Sequence, residues 1–263
     1  MAHCAMDPVD AADVARAVAR IERVHGVAVL CVADCGSHAW GYATPRSDYD
    51  LRGVFVRPPA AYLSLSDRRD VLYWSAEDRA GRPDIGFVLW DIRHFLGFCA
   101  ASKPAAFELL YSPLPLHGAD FARRLADTVA LSPLAIARHY MRQHYGNCKD
   151  LDGASVPPAR VLSLMRLRAT PRRLEAHDRL TPGRPPRALL ENWELALTPE
   201  EADMVAAARA ARALGAAEMP RPTALVLPDS CPSATKSLRA LATYDALIVA
   251  AVFSGGRLLA PLE

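Results

Sequence analysis

Two short apolar runs, Val27 to Val32 and Leu51 to Val56, constrain the fold of this chain more than any other feature. Both are too short for a buried helix, and the first is rich in β-branched residues, so both read as buried strands. Between them lie a Gly36-Ser37 turn and the triplet Asp48-Tyr49-Asp50. On an extended backbone alternate side chains share a face, so the two carboxylates point the same way, about 6–7 Å apart along the strand. At that separation their oxygens can converge on divalent cations about 3.5–4 Å apart. The Gly-Ser turn just upstream offers backbone N–H groups and a hydroxyl to a phosphate. A phosphate cradle beside metal-binding carboxylates is the minimal equipment for nucleotidyl transfer.

The surrounding pattern builds an α/β (α+β) domain around this stretch. Asp7 caps and Pro8 opens an amphipathic helix that carries Val9, Val14, Val18 and Ile21 on one face and ends at Gly26. The spacing then predicts one or two helical turns within Gly36 to Gly41, a break at Thr44-Pro45-Arg46-Ser47, and a strand from Tyr49 to Arg57 closed by Pro58-Pro59. Further strands are expected at Val71 to Trp74 and Ile85 to Trp90, joined by a loop at 78–83. Asp91 is placed to cap a helix that turns Phe95, Leu96 and Cys99 inward, and a short helix follows at Ala105 to Tyr111. Strands alternating with helices indicate a small mixed sheet flanked by helices. Beyond residue 113 the spacing is helical: 121–130, 133–145, 159–170 and onward, 186–197, 199–214 and 234–253, with a long surface connection at 215–233. The reading therefore divides the chain into a domain at 1–115 and an all-helical domain at 116–263, with the boundary at 113–118.

Composition excludes several classes. With 51% hydrophobic and 23% charged residues the chain reads as soluble and globular. A net charge of +2 is too small for a strongly basic grip on nucleic acid. Six scattered cysteines without a Cys-x-x-Cys pair argue against a zinc ribbon or a disulfide scaffold. Cys31 and Cys99 read as core residues, while Cys35 beside the turn reads as partly accessible. No stretch is apolar enough to span a membrane, and the first ten residues lack the pattern of a signal peptide, so a cytoplasmic location is expected. Charge is uneven, however: Arg160, Arg166, Arg168, Arg172, Arg173, Arg179, Arg184 and Arg187 face only Glu175 and Asp178. That run is either a solvated helix face or a surface for phosphates.

Gly36-Ser37, Ala39-Trp40-Gly41, Ser47-Asp48-x-Asp50 and the strand ending in Arg57-Pro58 together resemble the nucleotidyltransferases of the DNA polymerase β superfamily. The resemblance is to the branch that includes proteins associated with bacterial and phage RNA repair. It continues through Trp90 to Leu96, Lys103-Pro104 and Glu108 to Pro113, and is fainter over His139 to Asn147. The resemblance implies that Ser37 and the backbone around Gly36 bind the triphosphate of an NTP. It implies that Asp48 and Asp50 hold two magnesium ions, one at the β- and γ-phosphates and one at an acceptor hydroxyl attacking the α-phosphate. A third carboxylate would come from a neighbouring strand. Asp84 and Asp91 are the candidates, and Asp84 is preferred because Asp91 already has a capping role. Residue 38 is His where an Arg is common.

The remaining polar residues admit two readings each. His38 is a nucleotide contact or an exposed helix histidine. Arg46 flanks the carboxylates as a phosphate contact, and Arg52 pairs with Asp50 or with a phosphate. Trp40 and Tyr42 stack on a base or fill a core. His139, Tyr140, His144, Tyr145, Asn147 and Lys149 cluster on one helix and its end. They line the cleft, with Lys149 on the nucleotide, or serve helix packing. The function expected is Mg²⁺-dependent transfer of a nucleoside monophosphate to a hydroxyl of RNA, protein or a small molecule. The alternative is a nucleotide- or RNA-binding module of a repair or toxin–antitoxin system that has lost catalysis.

Overall fold

The strand-forming runs assemble into one five-stranded mixed sheet. In a computed structural model that describes residues 8–65, 68–76, 81–149, 151, 153–183, 185–222, 225 and 241–253, the chain begins with α1 (Pro8–His25), β1 (Ala28–Asp34) and β2 (Tyr49–Val56). It continues through α2 (Pro59–Tyr62), β3 (Val71–Ser75), β4 (Ile85–Asp91), α3 (Ile92–Ala100), α4 (Pro104–Leu110), β5 (Pro115–His117) and α5 (Ala119–Thr128). Then come α6 (Pro133–Lys149), β6 (Ser155–Val156), α7 (Pro158–Leu180), a 3₁₀ turn (Trp193–Ala196), α8 (Pro199–Ala213), β7 (Met219–Pro220) and α9 (Leu241–Phe253). The Asp7 cap and part of the 78–83 loop lie outside the described residues. So do most of the 215–233 connection and the start of the 234–253 helix.

Strand order is β3-β4-β2-β1-β5. β2 and β4 run parallel; the other three pairings are antiparallel. One face is closed by α1, whose Val14, Val18 and Ile21 recur at helical spacing and join Val29, Val32, Tyr49, Leu51, Phe55, Leu72, Ile85, Phe87 and Leu89 in a buried core. Burying each such side chain contributes about 1.5–3 kcal/mol. Gly26, at φ +60°, ends α1 as the sequence indicates. On the other face Trp90 packs against Phe95 and Phe98 of α3. The Asp91 side chain caps α3 by accepting from the Arg93 N–H at 3.0 Å. Gly53 crosses the centre of β2 where a Cβ would lie 2.4 Å from the Cys31 carbonyl oxygen, so β1 and β2 close only over glycine.

Several expectations change. Gly36 to Gly41 forms hydrogen-bonded turns rather than helix. Residues 186–197 form turns and the 3₁₀ segment, burying Leu189, Leu190 and Trp193 without an α-helix. Strands also occur after residue 113. β5 pairs with β1, and β6 pairs with β7. The chain packs as two compact units: the described residues of 1–101, 105–130 and 237–263, and those of 102–104 and 131–236. This differs from a boundary at 113–118 because β5 completes the sheet, α5 packs on β1, and α9 returns to α3. In the second unit α6 packs on α7, and α7 on α8. Among the described residues no helix is long and apolar enough to cross a membrane.

Candidate functional site

The site grows from the end of β1. Its last residue, Asp34, is wholly buried. Asp34 Oδ1 accepts from the N–H groups of Gly36 at 2.8 Å and Ala39 at 3.3 Å, so it folds the following turn around itself. The Gly36 N–H, expected for phosphate, is thus engaged by a carboxylate. Burial pushes the Asp34 carboxyl up to about 6, against the pull of His38 and the two backbone hydrogen bonds. The Cys35 N–H donates to the Asp50 carbonyl at 3.0 Å and ties the turn to β2. Gly36 lies against the Asp50 side chain, where a Cβ would meet Oδ2 at 2.5 Å and the Asp50 Cβ at 2.7 Å. Glycine is therefore required at this point for the turn to close on the carboxylate.

His38 also has a local task. With the proton on Nε2 it donates to the Ser47 carbonyl at 3.0 Å, and its ring stacks on Tyr49 with centroids 4.3 Å apart. It therefore links the turn to the loop that enters β2. Ser47 shapes that loop by accepting from the Thr44 N–H at 2.8 Å. Ser37 is half-buried in the turn, and Arg46 is exposed on the loop.

Along β2, Tyr49 and Leu51 point into the core while Asp50 is exposed on the opposite face. Asp48, just before the strand, is exposed as well. The parallel partner β4 places Ile85 beside Tyr49 and Gly86 beside Asp50. Asp84 therefore comes level with Asp48. Its N–H donates to Asp48 Oδ1 at 3.2 Å, and its carbonyl accepts from the Tyr49 N–H at 2.8 Å. Asp48, Asp50 and Asp84 lie at the same end of two neighbouring strands. Asp91 lies at the far end of β4, wholly buried, where it accepts from the Tyr62 hydroxyl at 2.9 Å and caps α3.

Arg52 shares the Asp50 face, and its partner is the buried Glu108 of α4. Cys35 is buried rather than partly accessible, and burial pushes its thiol well above the ordinary value. Trp40 is buried and belongs to the core. Lys149 ends α6 in the second unit, its ammonium 4.7 Å from the Tyr145 ring centroid. Within that unit Tyr140 and His144 are buried in helix packing, which is the plainer of the two readings offered for that cluster. Arg168 and Arg172 turn onto the buried Glu201, with Arg172 bidentate at 2.6 and 3.0 Å and Arg168 Nε at 2.9 Å. Two members of the arginine run thus serve an internal ion network.

The donor set fits a hydrated Mg²⁺, which takes one or two carboxylates and completes its shell with water and phosphate oxygens. Among the described residues no three His, Cys, Asp or Glu side chains gather closely enough to form a metal cage. Sequence reasoning missed Asp34, whose signal was an acid at the end of an apolar run. It also missed the Arg52–Glu108 pair, whose only signal was one acid inside an apolar helix.

Comparison with known proteins adds the following. The family model described as the RNA repair pathway DNA polymerase beta family matches residues 11–212. The chain is 30% identical over 168 residues to the uncharacterized protein YcgL of Bacillus subtilis (strain 168), covering 62% of each protein. It is 27% identical over 81 residues to an uncharacterized 38.9 kDa protein of the nrdC-mobD intergenic region of Enterobacteria phage T4, covering 30% of this chain and 24% of that protein. The chain thus spans less than two thirds of the length of either relative.

Proposed function

The chain belongs to the RNA repair pathway DNA polymerase beta family, and we propose that it transfers a nucleoside monophosphate from an NTP to a hydroxyl acceptor, releasing pyrophosphate. The family's name favours an RNA end as that acceptor. The observation that carries the reading is the pair Asp48 and Asp50, exposed at the start of β2 with the Gly36 turn closed against the second of them. These two residues would hold Mg²⁺, with Asp84 as the candidate third carboxylate. Bound there, the metal supplies charge neutralisation for the phosphates and acidifies an acceptor hydroxyl. Ser37 presents its hydroxyl to the triphosphate, and exposed Arg46 adds positive charge at the rim. Asp34 and His38 keep the turn and the β2 entry loop in place, so the carboxylates need no rearrangement when substrate arrives.

Labelled ATP, CTP, GTP and UTP with Mg²⁺ and RNA, protein or small-molecule acceptors test this. Pyrophosphate release that disappears in Asp50→Asn is the expected result. No release with any acceptor, together with unchanged nucleotide binding by Asp50→Asn, would refute both catalysis and the site.

One observation favours a second reading, nucleotide binding without turnover. The residue laterally beside Asp50 is Gly86, so the position level with the second carboxylate carries no acid. Tight metal-dependent NTP binding with no pyrophosphate from the natural chain, and pyrophosphate gained by Gly86→Asp, would select it.

A further inference from the structure

On the face of the sheet opposite α1 lies a cavity of about 510 Å³, lined by β2, β3 and β4. The ladder registers fix its floor. Ser75, Gly86 and Asp50 stand side by side in one row, and Tyr73, Val88 and Arg52 in the next. The residues between these rows, Trp74, Phe87 and Leu51, turn to the core face. Gly86 opens the floor, since a Cβ added there would meet nothing within 4 Å. At the edge strand Tyr73 is 75% exposed, a large aromatic ring left in water. Of the two aromatics offered by sequence for stacking, Trp40 is buried and Tyr42 half-buried, whereas Tyr73, which the sequence did not single out, lines the cavity together with Asp50.

We propose that this cavity seats a nucleoside, its base stacked on Tyr73 and its sugar over Gly86 beside Asp50. The inference rests on the nucleotidyl-transfer reading of Asp50. Asp50 and Tyr73 are separated by two strand spacings across the sheet and one two-residue step along it, about 12 Å between Cα atoms. The Tyr73 side chain closes part of that distance, and a nucleoside covers the rest, from the oxygens on its sugar to the far edge of its base. Val88 supplies an apolar floor beneath the ring system. Gly86 supplies clearance for a sugar that a side chain would block. Arg52, ion-paired with Glu108, lines the same row. The nucleoside is that of the NTP or the 3′-terminal one of an RNA acceptor, since both present the same base and sugar.

The test uses the full chain with Mg²⁺ and two fluorescent probes: 2-aminopurine riboside triphosphate, and a short RNA ending in 2-aminopurine riboside. Stacking quenches 2-aminopurine. One probe is expected to be quenched on binding, and its identity names the source of the nucleoside. Tyr73→Ser is expected to abolish that quenching and weaken the same probe by about tenfold or more, while Tyr73→Phe retains both. Tripolyphosphate, which has no base, is expected to bind the natural chain and Tyr73→Ser alike. The proposal is overturned if Tyr73→Ser leaves quenching and affinity unchanged for both probes, or if the natural chain quenches neither. If ATP binding still depends on Asp50 in either of those cases, the nucleotidyl-transfer reading stands and the stacking site alone fails.

Discussion

Replacing Asp34 by asparagine separates the charge of this carboxylate from its hydrogen bonds. The amide oxygen of the new side chain can still accept from the N–H groups of Gly36 and Ala39, so the turn keeps its anchor. What disappears is an ionisation that burial opposes. The folded value is about 6 against an ordinary 3.8. A carboxyl raised on folding binds its proton more tightly in the native state, so its ionisation works against folding. The penalty is small in acid, grows as pH rises from about 4 to 6, and is complete above that. Such a rise corresponds to about 3 kcal/mol at neutral pH, of which about 1 kcal/mol is already present near pH 4.5. Urea unfolding of the natural chain and of Asp34→Asn at about pH 4.5 and pH 7.5 measures the difference. The substitution is expected to be about 2 kcal/mol more favourable at the higher pH than at the lower. The buried Oδ2 lacks a hydrogen-bond partner among the described residues, so the new amide hydrogens have none there and lower both values equally. A stability change that is the same at both pH values would refute the argument, because the carboxylate would then be solvated in the folded state.

Three further outcomes are expected. Gly36→Ala forces a Cβ into the Asp50 side chain and is expected to weaken Mn²⁺ binding, read by electron paramagnetic resonance, by about tenfold, with circular dichroism unchanged. Glu201→Ala strands Arg168 and Arg172 and removes the reciprocal cap with Thr198, so urea unfolding should show a loss of about 2–3 kcal/mol, reduced because both arginines are partly exposed. For Glu201 itself burial would raise the carboxyl, but the Arg172 and Thr198 hydrogen bonds hold it below the ordinary value, so that stabilisation should fade as acid protonates it. Burial lowers His144 to about 4. Its imidazole proton resonances should therefore titrate near there, and the native state should lose stability as pH falls from 6.5 toward 4 while the unfolded chain takes up the proton.

Local signals were readable and lateral ones were not. The runs at 27–32 and 51–56 appeared as strands because β-branched and apolar residues cluster within strand length. Asp91 was recognisable as a cap because it immediately precedes a helical apolar spacing. By contrast β5 has only three residues, one of them Pro115, and owes its extended form to pairing with β1. The helix expected at 186–197 failed because Leu189, Leu190 and Trp193 satisfy their burial from turns that follow Pro185-Pro186. Which residue stands beside Asp50 depends on the register between β2 and β4, and the sequence contains no marker of that register. Gly86 therefore emerged only with the sheet, as did the partnership of Arg52 with Glu108, 56 positions away.

The return of α9 to the first unit has a consequence for how the chain is made. During synthesis all five strands of the sheet leave the ribosome well before α9, and residues 131–236 of the second unit are translated in between. Throughout that interval the face of α3 that α9 approaches through Tyr244 and Ile248 is exposed to water or to other nascent chains. A sheet already bearing its carboxylates thus waits for a distant helix to cover its flank.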